Sequence, residues 1–211
     1  MDAFFFQTLP YVAVALFLVG TIYRVAARPF TCSTLSSQFL ESRHLFWGSV
    51  PMHLGLLALA AGHLLGLLVP RRLLLWNAVP LRVAIVEVVA LAFGLLALVG
   101  LLNLVLRRLR DPRVRVVTSR LDWIVLALLL GQVVTGLYVA IFRGWGTSWY
   151  AASAVPYLRS LIALEPDISF VTPLPLPARL HVVGAWVLLG LLPFSRLVPF
   201  GLLMLFGMLL P

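Results

Sequence analysis

The sequence predicts an all-α membrane protein, a bundle of five transmembrane helices, and three observations carry that prediction. Of its 211 residues, 62% are hydrophobic and 11% are charged, where a soluble domain carries about a quarter charged residues. Five apolar segments each approach the roughly twenty residues needed to cross a bilayer. All sixteen basic residues are arginines, and they gather at the ends of those segments and between them. The mean hydropathy of +1.07 fits the same class. Strands are not expected, because an open sheet cannot satisfy its edges in lipid. A single integral membrane domain over residues 1–211 follows, with no room for a large soluble one.

The first span is expected over about 4–23. Its leading residues, MDAFFFQTLP, lack the positive stretch and small-residue cleavage site of a signal peptide, so this apolar run belongs to the mature chain. The polar link RVAARPFTCSTLSSQFLESRH separates it from a second span over 46–69. The link PRRLLLWNAVPLR leads to a third over 83–106, and RRLRDPRVRVVTSR to a fourth over 121–142. A long Gly-, Trp- and Pro-rich stretch from Arg143 to Arg179 is read as a connection to the fifth span, 178–198. Pro193 and Pro199 can break or kink that last helix, and residues 199–211 form an unusual apolar tail.

Arginine placement orients the bundle. With the N-terminus outside and the C-terminus cytoplasmic, ten arginines face inward, six of them between Arg107 and Arg120, and six face outward. The positive-inside rule favours that orientation. The net charge of +9 is therefore read as a topology signal and a contact for lipid headgroups, and no nucleic-acid partner is expected. The lone Cys32 forms no internal disulfide, and no CxxCH is present for covalent haem attachment.

Polar residues inside membrane segments invite a functional reading. His53 and His63 lie ten residues apart in PMHLGLLALAAGHLLG, about 15 Å along a helix. His63 falls near the outer end of the second span and His181 near the outer start of the fifth, which places both at one depth on different helices. Facing imidazoles at one level can sandwich a haem iron; equally, a membrane histidine can serve as a hydrogen-bonding residue between helices. His44 reads as an interfacial residue in a polar run, and Glu87 as a proton-handling group or one that snorkels to the interface.

Several stretches together resemble the gamma subunit of respiratory nitrate reductase, a membrane cytochrome b: STLSSQFLE, MHLGLLALAAGHLLG, DPRVRVVTSRLD and RLHVVGAWVLLGLLPFSRLV, in the family's order. The resemblance implies a quinol-oxidising subunit in a bacterial or archaeal cytoplasmic membrane. Such a subunit anchors an iron–sulfur subunit and a molybdenum catalytic subunit, which carries the nitrate site, on the cytoplasmic side. It implies His63 and His181 as ligands of an outer (distal) haem b and His53 as one ligand of an inner (proximal) haem. The family's second inner ligand would fall at Pro199, which has no nitrogen able to bind iron, so that haem would be absent, five-coordinate, or ligated by Met204 or Met208. Arg179, beside the RLH motif, is a candidate for a haem propionate. For quinol, the resemblance points to Gly62 and His63 and to a cation near the start of the third span; Ala84 occupies the family's lysine position, and Arg82 stands two residues away. The alternatives are an equivalent haem b anchor for another molybdenum-dependent oxyanion or sulfur-compound reductase, and a haem-free transporter or anchor.

Overall fold

The computed structural model describes residues 1–27, 43–143 and 150–195; of Val25, Arg43, His44 and Arg143 it describes the backbone alone. The described residues are helical with no strand. A π-helical turn at Phe4–Thr8 opens into α1 (Leu9–Ala27). Next come α2 (Arg43–Leu68), the short α3 (Pro70–Trp76) and α4 (Pro80–Arg110). They are followed by the short α5 (Pro112–Val116) and by α6 (Arg120–Arg143). A second π turn, Tyr150–Ala154, leads into α7 (Val155–Ile162), and α8 (Leu176–Leu191) runs into a 3₁₀ turn at Leu192–Phe194.

Five of these helices are long and apolar enough to cross a bilayer: Phe4–Arg24, Leu45–Leu68, Pro80–Arg110, Arg120–Phe142 and Leu176–Phe194. Their exposed side chains include Ile22, Val88, Ile141 and Phe142, an apolar girdle that a water-soluble surface would not carry. The expected five spans are thus present, with the third longer at both ends. Pro80 at its first turn needs no N–H there, and the helix continues to Arg110.

The links hold more helix than the sequence reading assigned. In the stretch read as a connection from Arg143 to Arg179, α7 buries Val155, Tyr157 and Leu161. Tyr157 and Leu161 pack with Phe6, Val139, Val171, Leu174 and Ala178 into one core. A second core joins Met52 of α2, Ala97, Leu101 and Leu104 of α4, and Leu126, Val133 and Leu137 of α6. The start of α6 is closed reciprocally: Asp122 N–H donates to Ser119 Oγ at 3.1 Å and Ser119 N–H to Asp122 Oδ2 at 2.9 Å, a capping-box arrangement.

Two prolines inside spans are accommodated the same way. Pro10 has no N–H to give the Phe6 carbonyl, and the buried Tyr157 hydroxyl donates to that carbonyl at 2.8 Å. Pro51 likewise withholds a donor from the Trp47 carbonyl, and Asn103 Nδ2 on α4 donates to it at 3.3 Å. Pro193 lies in the 3₁₀ turn that ends the fifth span, and Arg24 donates to its carbonyl at 2.7 Å and to that of Ser195. Pro199 and the 199–211 tail, with Met204 and Met208, lie outside the described residues, as does Cys32.

The spans pack in the order α2–α4–α6–α8–α1. The closest approach joins α2 and α4, where a Cβ added at Gly55 would sit 2.6 Å from Phe93 O and 2.6 Å from Ala97 N. By contrast, α2 and α8 have no extensive backbone packing among the described residues. They face each other through side chains, and there the candidate site lies.

Candidate haem-binding site

His63 on α2 and His181 on α8 face each other with ring centroids 6.2 Å apart and planes inclined by 31°. Two imidazole nitrogens held at about 2.0–2.1 Å from one metal put their ring centroids roughly 6.3 Å apart, so the separation suits one iron between them. The donor chemistry fits as well. His63 Nδ1 lies 2.7 Å from the Leu59 carbonyl one turn earlier. His181 Nδ1 lies 3.0 Å from the Gln132 carbonyl on α6 and 3.2 Å from Thr135 Oγ1. A carbonyl only accepts, so each Nδ1 carries the proton and each Nε2 keeps its lone pair for a metal. No three His, Cys, Asp or Glu side chains gather into a metal site among the described residues. Two axial ligands are what a haem asks of a protein, because the porphyrin supplies the rest.

Residues 2–206 match the family described as nitrate reductase gamma subunit. The chain belongs to that family. It is 31% identical over 195 residues to the nitrate reductase gamma chain of Bacillus subtilis (strain 168), covering 90% of this chain and 86% of that one. It is also 31% identical over 212 residues to the respiratory nitrate reductase 1 gamma chain of Escherichia coli (strain K12), covering 94% and 89%. The nitrate reductase-like protein NarX of Mycobacterium tuberculosis is 31% identical over 206 residues, which make up 31% of that longer protein. This gamma-family chain is accordingly a multi-pass membrane protein, as its five spans require.

The other residues singled out in the gamma-family chain are dispersed around the histidine pair. His53, deeper along α2, places Nδ1 2.7 Å from the Ser49 carbonyl and 3.0 Å from Ser49 Oγ, the same i−4 carbonyl contact that His63 makes. Gly62 borders open space: a Cβ there would meet nothing within 4 Å. Arg82 is exposed at the start of α4, its guanidinium 4.4 Å from the Trp76 ring centroid, a cation–π contact. Arg179 pairs with Asp2 through Nη2 and lies 5.6 Å from the Phe6 ring centroid, while its buried Nε has no hydrogen-bond partner. Glu87 and Ala84 are exposed on α4. In the basic segment that begins in the last turn of α4, Arg107 is buried at 5% exposure and Arg108 is half-buried, while Arg110, Arg113, Arg115 and Arg120 are exposed.

Sequence reasoning passed over α6. Its GQVVTG stretch, residues 131–136, puts an amide, a hydroxyl and two glycines into an otherwise apolar span. That was a legible signal, since polar groups in membrane helices seek partners on neighbouring helices. Gln132 Nε2 donates to the His181 carbonyl at 3.0 Å. A Cβ at Gly136 would stand 3.1 Å from His181 Cε1, and one at Gly184 would overlap the Gln132 amide.

Proposed function

We propose that this gamma-family chain is the membrane-anchoring cytochrome b subunit of a nitrate-reductase-like complex, oxidising quinol on the outer side of the membrane. The observation that carries the reading is the His63–His181 pair at 6.2 Å with both Nδ1 atoms committed to carbonyls or a hydroxyl. His63 and His181 would hold a distal haem b through Nε2, and the haem, when bound, supplies one-electron transfer.

The chain's own residues do the rest. Open space beside Gly62 admits a flat ring next to His63, and exposed Arg82 offers a guanidinium donor to a quinol oxygen. A quinol gives up two electrons and two protons; with the N-terminus outside, those protons leave on the outer face. Arg179, anchored through Nη2 to Asp2, keeps Nε for a propionate oxygen. His53 would be one ligand of a proximal haem, whose second ligand Pro199 does not supply. The exposed arginines 110, 113, 115 and 120 on the inner face suit docking of the iron–sulfur and molybdenum catalytic subunits.

Pyridine haemochrome on the detergent-purified chain tests the reading. Wild type should hold haem that is lost with His63→Ala or His181→Ala. His53→Ala should lower the ratio from two to one where a proximal haem is present, and leave it at one where it is not. A folded, colourless wild-type protein would refute the cytochrome reading and favour a haem-free membrane anchor.

A further inference from the structure

We infer that Gln132 and Thr135 of α6 form a clamp that sets the orientation and basicity of His181, making it the stronger donor of the two ligands and lowering the reduction potential of the distal haem. The inference rests on the haem reading above and assigns positioning roles to two residues that touch neither haem nor quinol in the argument so far.

The geometry is asymmetric. His63 is steered by one acceptor on its own helix, the Leu59 carbonyl. His181 is steered from a neighbouring helix, where its Nδ1–H is shared between the Gln132 carbonyl at 3.0 Å and Thr135 Oγ1 at 3.2 Å. The Thr135 hydroxyl has one proton, and the Gly131 carbonyl at 2.7 Å takes it. Its oxygen lone pair is therefore turned to the imidazole, as an acceptor and not a donor. Meanwhile Gln132 Nε2 donates to the His181 carbonyl at 3.0 Å. One α6 residue thus grips His181 at both backbone and ring, and the ring cannot swivel without breaking a bond to α6.

The neighbouring glycines are what make this possible. The Gln132 amide occupies the space a Gly184 side chain would fill, and Gly136 leaves the imidazole room against α6. Two acceptors on one Nδ1–H draw electron density into the ring, so Nε2 becomes a better donor. A better donor favours ferric over ferrous iron, which lowers the potential. His181 is half-buried, with its ring against α6, and bonds shielded from water in this way are stronger than exposed ones.

The test is a redox titration and a low-spin ferric EPR spectrum on the full chain purified in detergent, each read alongside haem content. Thr135→Val keeps the shape and removes the acceptor. It should shift the ratio of reduced to oxidised distal haem about threefold at fixed ambient potential, roughly 28 mV upward for one electron at 59 mV per tenfold. Thr135→Ser keeps the hydroxyl and should stay at the wild-type potential. Gln132→Met removes the grip on the His181 carbonyl and should broaden or move the low-spin signal while the haem is retained.

A haem-replete Thr135→Val variant with wild-type potential, or a Thr135→Ser variant that shifts as far as Thr135→Val, overturns the clamp and leaves the haem assignment standing. Should Thr135→Val lose its haem while Thr135→Ser keeps it at the wild-type potential, the hydroxyl is required and the inference holds. A wild-type chain without haem defeats the underlying reading itself.

Discussion

Gly55→Ala is the most informative perturbation of the scaffold, because it acts on the helix that carries both membrane histidines of the N-terminal half. The new Cβ would sit 2.6 Å from Phe93 O and 2.6 Å from Ala97 N, with the Ala97 Cβ at 2.7 Å. Two of these neighbours are helix backbone and cannot swing aside, so α2 and α4 must part by about 0.8 Å to restore ordinary contact. A gap of that size forfeits a quarter to a half of each dispersion well it opens. Around the crossing the affected side chains include Met52, Leu56, Leu59, Leu101 and Leu104. Overpacking of this kind costs about 1–3 kcal/mol, and the upper half of that range is expected here. At roughly 2–4 °C per kcal/mol for a chain of this size, the midpoint for thermal loss of the haem Soret band should fall by about 4–12 °C. Haem content should fall too, since His63 shifts away from His181. Gly131→Ala is the control: nothing lies within 4 Å of its added Cβ, and alanine favours the helix by up to about 1 kcal/mol. A Gly55→Ala midpoint within about 2 °C of wild type, with full haem, would refute the close-packing argument.

Three further outcomes follow from the same geometry. An added Cβ at Gly62 meets nothing within 4 Å, so with Gly62→Leu stability and haem content should hold while KM for a quinol analogue rises about tenfold, as steady-state oxidation would show; an unchanged KM would remove Gly62 from the quinol site. Tyr157→Phe strips the donor from the Phe6 carbonyl and should cost about 1–3 kcal/mol, measurable as a fall in Tm. Burial pushes the Tyr157 hydroxyl up to about 12 from its usual 10.0, so the folded state disfavours the phenolate. Its contribution to stability is complete below pH 10 and lost as pH rises from 10 towards 12, a decline that Tyr157→Phe should lack in alkaline melts.

The spans were legible because the bilayer imposes a coarse rule. A helix that must satisfy every backbone group internally and shed polar side chains over about 30 Å leaves an unmistakable run of apolar residues. The His63–His181 match in depth followed from counting residues inward from two span ends, and the structure brings those rings together. The helices hidden in the links were harder to foresee. α3 and α7 are short and begin at or near prolines; α7 buries Val155, Tyr157 and Leu161, whereas α3 buries no side chain, and elements this short carry too few residues to stand out between the spans. Arg107 read as one of six cytoplasmic charges, yet it is buried at the end of α4.

Sequence by itself determined the class of protein, the number of crossings and which imidazoles lie within the spans, because hydropathy and residue type are local properties. Tertiary structure alone decided which groups act on those residues. Tyr157 reaches Phe6 across 151 positions, Arg179 is taken by Asp2, and α6 closes on His181 through Gln132 and Thr135. Such contacts depend on which faces of which helices meet, and that is set by small residues allowing close approach at Gly55, Gly136 and Gly184. Nothing in the order of residues along one span announces which neighbour will pack against it.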